Sequence, residues 1–214
     1  MTGTIVAADL PWLRQAGPRL VRLHLISRQI PGAIGLLAGC AVLLRIALHL
    51  HWLRGDAAAA QQMLLLIECA AASVVAVAVR SPFGESERAA GGLLPVLRLG
   101  TALLLTAAAV GALAVGAVAE RLPGGGLALV RDVTGLAGTG LIAAAVLGGA
   151  LAWAGPLACT TLSEIALMQN WQTPWTWAAR PPHDTGAWLC AILAFAAGTA
   201  VIAARGPRDT GGES

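Results

Sequence analysis

The sequence predicts an all-α polytopic membrane protein: six transmembrane helices, N- and C-termini cytoplasmic, an N-terminal in-plane amphipathic helix and a short outer cap between spans five and six, all within one transmembrane domain, residues 1–214. Three observations carry that expectation. Hydrophobic residues make up 57% of the chain and charged residues only 12%. Soluble domains carry about 25% charged residues, so water is not the main solvent here. Four apolar stretches reach 18 residues or more, the length at which a helix begins to cross a bilayer. The arginines gather on alternate loops, as they do when cytoplasmic loops hold the positive charge.

Residues 1–10 read as a loose tail. From Arg19 to Ile30 apolar and basic positions alternate with helical spacing: Leu20, Leu23 and Ile30 share one face and Arg19, Arg22 and Arg28 the other. That pattern suits a helix lying in the membrane surface with arginines at the headgroups; an unstructured basic tail is the alternative. No cleaved export signal is indicated, because no continuous apolar core precedes residue 30.

The first span is expected at 31–53, with Arg45 near its middle and His49, His51, Trp52 and Arg54 at its end; the second is expected at 57–79, with Glu68 near its centre. Residues 80–98, RSPFGESERAAGGLLPVLR, are the most charged internal segment and divide the first pair of spans from the rest. A third span follows at 97–118, then the turn-rich loop ERLPGGG. The next 42 residues, Leu127 to Met168, are too long for one tilted span and fit two of about 20 residues. The reading divides them at Gly148-Gly149 into 128–147 and 150–168, with a kink at Pro156. The aromatic segment 169–186, holding Trp171, Trp175 and Trp177, is expected as a headgroup-level cap. A last span occupies 187–204 before a polar tail.

Six spans put both ends on one side. Nine arginines outside the spans fall on that side (Arg14, Arg19, Arg22, Arg28, Arg80, Arg88, Arg98, Arg205 and Arg208) against Arg54, Arg121 and Arg180 on the other. The termini and the 80–98 loop are therefore expected in the cytoplasm.

Charges inside the spans need partners. If the first hairpin turns near Asp56, Arg45 lies 11 residues before it and Glu68 lies 12 after. At about 1.5 Å per residue the two are within about 2 Å of the same depth. The expectation is an Arg45–Glu68 pair that locks spans one and two, with a polar translocation path as the alternative. Arg131 and Asp132 stand at the outer start of the fourth span and are read as shallow enough to reach water or each other's neighbours. Glu164 shows no partner at its depth and is a candidate pathway residue. Gly135 and Thr139, four residues apart, suit a tight helix interface.

Chemistry is sparse. The 14 basic residues are all arginine, so no GxxxxGK[ST] phosphate loop exists. HExxH, CxxC and GxSxG are also missing. Cys40, Cys69, Cys159 and Cys190 are isolated in apolar stretches and read as small packing residues. The net charge of +3 is dispersed among spans and is no nucleic-acid footprint. Neither an enzyme, a cofactor nor a metal site is expected in this chain.

In SERAAGGLLPVLR, Glu87, Arg88, Gly91, Leu93, Leu94 and Pro95 form an acidic-basic-glycine run followed by leucines and proline. With the in-plane basic segment, six spans and an outer cap between spans five and six, the chain resembles the ABC-2 type permeases of ATP-binding cassette transporters. Its charged run is shorter than usual there, and its fourth and fifth spans join through an unusually apolar turn. The resemblance implies a separate ATPase subunit holding ATP and Mg, a homo- or heterodimer of permease chains, a bacterial plasma-membrane location, and export. The apolar spans suit an apolar or amphipathic cargo such as a drug, lipid or peptide. It assigns Phe83, Glu85, Glu87 and Arg88 to contact with the ATPase. The competing classes are a non-transport membrane protein (an immunity or assembly factor, or an anchor) and a proton-coupled carrier using Glu68 and Glu164.

Overall fold

Six apolar stretches become six long helices in the computed structural model, which describes residues 30–50, 57–79, 94–118, 120, 122–171 and 173–205. They are α1 (Ile30–His49), α2 (Ala57–Ala78), α3 (Leu94–Gly116), α4 (Gly125–Val146), α5 (Ala154–Gln169) and α6 (Thr185–Arg205), with single 3-10 turns at Gly149–Leu151 and Trp177–Ala179. No strand occurs among the described residues. Six candidate membrane spans are long and apolar enough to cross a bilayer, the fifth of them the 3-10 turn together with α5, as a multi-pass membrane protein requires. The in-plane segment 19–30 lies outside the described residues except for Ile30, where α1 begins. Phe83, Glu85, Glu87 and Arg88 also lie outside them.

The helices do not share the interior equally. In α4 67% of the spanning window is buried, against 28% for the spans of α1, α5 and α6, so α4 is the central post. It packs most extensively on α6, then on α2 and α5. Glycine sets the α4–α6 spacing: a Cβ at Gly198 would overlap the Gly138 carbonyl oxygen, and one at Gly138 would meet the backbone of Ala194 and Phe195 at 2.5 Å. Without a hydrophobic driving force between helices in lipid, such close approach maximises dispersion contact. Outward positions such as Leu36, Leu104, Met168 and Leu193 are exposed, as expected for surfaces facing acyl chains.

Two local features follow from backbone chemistry. Gly148 has φ 95°, a conformation that suits glycine, and it turns the chain from α4 into the 3-10 turn that precedes α5. Pro156 occupies the first turn of α5, where a backbone N–H has no helical acceptor to lose. It starts the helix there, rather than producing the kink expected from sequence.

The first hairpin differs from expectation. Helix α1 ends at His49, and Arg45 stands only four residues from that end, about 6 Å. Glu68 stands 11 residues from the start of α2, about 16 Å. The depth match expected for the two assumed one tight turn near Asp56, with helix running up to it on both sides. With α1 ending seven residues earlier, counting from the helix ends no longer matches the two groups in depth.

Candidate functional site

Arg45 does not meet Glu68. Its Nη1 donates to the carbonyl of Val118, just beyond the end of α3. A cation there complements both the unsatisfied carbonyls and the negative end of the helix. The side chains of α1 and α3 are thus tied together near one face, and Glu68 finds a different neighbourhood.

That neighbourhood is built by α2, α4 and the segment after α5. On α4, Arg131 and Asp132 are 0% and 5% exposed, so of the two outcomes expected they reach neighbouring groups and not water. Arg131 Nε donates to Asp132 Oδ1 at 2.8 Å, and Nη2 approaches Oδ2 at 3.5 Å. Nη1 donates to the Pro181 carbonyl at 2.8 Å and Nη2 to the Arg180 carbonyl at 3.1 Å. A planar guanidinium has donors enough for a carboxylate and two carbonyls together. Burial of this pair is tolerable because each charge is both paired and hydrogen-bonded.

The segment 170–184 is more than a headgroup cap. Trp171 and Trp175 are exposed, but Trp177 is only 5% exposed. Its ring lies where a Cβ on Gly135 would come within 2.7 Å. Gly135 is ten residues into α4, about 15 Å along the axis, so the segment enters the bundle through this ring, while residues 178–182 lie beside the start of α4. Non-helical backbone packed against the spans must have its polar groups satisfied by protein. Here side chains do so. Gln61 donates to the Ala178 carbonyl at 2.8 Å, Arg131 to those of Arg180 and Pro181, and Trp188 Nε1 to that of Pro182 at 2.9 Å. Arg180 pairs with Asp184. Asp184 also accepts the Ala187 N–H at 2.8 Å, capping α6. That backbone N–H, together with Arg180, holds the Asp184 carboxyl below the usual carboxylate range.

Between the re-entrant segment, α2 and the first two turns of α4 lies a cavity of about 240 Å³. Gln61, Glu68, Asp132 and Arg180 supply its polar wall, and Leu64, Leu65, Pro123 and Ala128 belong to its apolar wall. Glu68 is 1% exposed and within electrostatic range of Arg131 and Asp132. Its Oε1 has no hydrogen-bond partner among the described residues. Gln61 and Glu68 are seven residues apart, two helical turns on one face, and this spacing was the sequence signal for the site that the Arg45 pairing obscured.

Glu164 is half-buried on α5, with Gln62 of α2 beside its carboxyl and its Oε1 unpartnered among the described residues, a neighbour that span-by-span depth counting did not find. Near it on α5, Thr160 and Ser163 are buried, with hydroxyls unpartnered among the described residues. Glu164 does not line the Glu68 cavity, so the two acids proposed from sequence for a carrier path occupy different contacts. Gly135 and Thr139 serve interfaces within the chain: Gly135 seats Trp177, and Gly155 of α5 packs on the Thr139 backbone. The four cysteines are free thiols, and among the described residues no group of three or more His, Cys, Asp or Glu is placed to hold a metal.

Neither a family model, nor a curated protein, nor a solved structure matches this chain.

Proposed function

We propose that the chain is the membrane-spanning permease subunit of an ATP-binding cassette exporter, moving an apolar or amphipathic substrate with energy from a separate ATPase subunit. The observation that carries this reading is the segment between α5 and α6. The resemblance calls for a cap at this point of the chain, and residues 170–184 enter the bundle there and are bonded to α2 and α4. Six helices of spanning length and apolarity support it as well. So does the run Glu87, Arg88, Gly91 and Leu93 to Pro95, which leads directly into α3 at Leu94.

On this reading the arginine distribution sets the 80–98 loop and both termini in the bacterial cytoplasm and the re-entrant segment outside. ATP and Mg belong to the partner. Closure of two ATPase subunits pushes on Phe83, Glu85, Glu87 and Arg88 and on the 19–30 segment, and two permease chains, alike or different, enclose the path. The outer segment is bonded to the two helices that cross the centre of the bundle, so a movement of α2 or α4 reaches it directly.

Two measurements test the reading. Purification in gentle detergent is expected to retain a stoichiometric soluble ATPase; its persistent absence would favour an immunity factor or anchor instead. Glu87→Ala with Arg88→Ala is expected to leave the chain inserted while lowering ATP hydrolysis or export by the complex about fivefold or more, the lower range of ordinary coupling energies. Unchanged transport in that variant removes the coupling role.

A further inference from the structure

We propose that the cavity under the re-entrant segment is a binding site for a small organic monocation, a primary alkylammonium held by Glu68. Arg131 is engaged by Asp132 and by two backbone carbonyls, and Arg180 is paired with Asp184. Both cations are thus engaged by groups other than the Glu68 carboxylate. Glu68 is nevertheless almost fully buried beside the cavity, and its Oε1 has no hydrogen-bond partner among the described residues. A carboxylate removed from water at that depth calls for a positive charge and an N–H donor. With both carboxyls ionised, Glu68, Asp132 and Arg131 would carry one negative charge in excess, so the occupant that stabilises an ionised Glu68 is a single positive charge.

The walls decide what kind of cation. A hard metal ion needs about six oxygen ligands, and no metal-holding group of three or more such side chains occurs among the described residues. Leu64, Leu65, Pro123 and Ala128 instead offer apolar surface beside the carboxylate, which suits an alkyl chain attached to the charge. The volume, about 240 Å³, is below the roughly 300–1,000 Å³ of drug-sized pockets, so the occupant is small. A propylammonium ion has the right form: three N–H donors for Glu68 and a short chain for the leucines. Residues 178–182 line the cavity on the side of the re-entrant segment.

The site does not rest on the exporter reading. Loss of an ATPase partner would overturn that reading alone, and loss of amine binding would overturn this one alone. The test uses the full chain in detergent with propylammonium chloride at neutral pH, read by saturation-transfer NMR and titration. Saturable binding is expected for the native chain and at least tenfold weaker binding for Glu68→Gln, which keeps the side-chain shape and removes the charge. Glu164→Gln, outside the cavity, should bind as the native chain does. Ala128→Leu fills the wall with Glu68 intact, and is also expected to weaken binding at least tenfold, which keeps the test decisive if Glu68→Gln does not fold. Equal binding of 1-propanol, binding retained in both cavity variants, displacement by sodium at equal concentration, or no saturable binding to the native chain would each overturn the proposal.

Discussion

The two halves of α4 are held by opposite kinds of physics. In its first half, Arg131 and Asp132 sit in the core and tie the helix to the re-entrant segment through directional, charge-assisted hydrogen bonds. In its second half, Gly138 and Gly140 bring α6, α2 and α5 so close that a Cβ would collide with them, and contact is dispersion alone. The first half gains specificity, because only one arrangement satisfies the guanidinium. The second gains area, because any small residue of the right shape serves. A segment that must thread into a bundle without helical hydrogen bonds needs the first kind of support; two regular helices need only the second.

The largest expected effect comes from breaking the polar half. Arg131→Met leaves Asp132 buried and uncompensated and strips two carbonyls of their donor, a loss of about 3–5 kcal/mol. It should appear as a lower unfolding midpoint in mixed micelles and as protease cleavage within 170–184. Arg131→Met with Asp132→Leu should recover much of that loss, since an apolar pair of similar volume avoids the stranded charge. Equal instability in single and double variants would show that the carbonyl bonds, not the charges, do the holding.

Breaking the apolar half is expected to cost less. Gly198→Val forces α6 away from the Gly138 carbonyl, about 1–3 kcal/mol by the usual cost of overpacking, with the 170–184 segment still protected from protease. Cleavage there in this variant would mean that the two halves are not independent.

The smallest effect separates Arg45 from the site altogether. Arg45→Leu removes a cation from the end of α3, about 0.5 kcal/mol. Its effect on the unfolding free energy should add to that of Glu68→Gln within about 0.5 kcal/mol, as for groups with no shared partner. A larger coupling would restore the paired lock that helical depth counting suggested.

That failed pairing shows how far the sequence can be read. Apolar length located the helices, because crossing a bilayer demands a run that no other structure supplies. Depth along a span is also legible, but only from a known helix end, and α1 stops at His49 well short of the expected turn. The turn at Gly148 could be read because positive φ favours glycine. The burial of Arg131 could not, because it depends on a segment 50 residues away that returns to cover it. Trp177 looked like its exposed neighbours Trp171 and Trp175 for the same reason.

By itself, then, the sequence determined the solvent, the number of spanning helices and their approximate limits, all consequences of local composition and period. The partners of the buried charges were decided only by tertiary structure. Arg45 found the end of α3, Glu164 found Gln62, and Arg131 with Asp132 found the re-entrant segment. Charge buried in a membrane must be satisfied, but which donor or acceptor satisfies it is set by where the helices end and how closely their glycines let them approach.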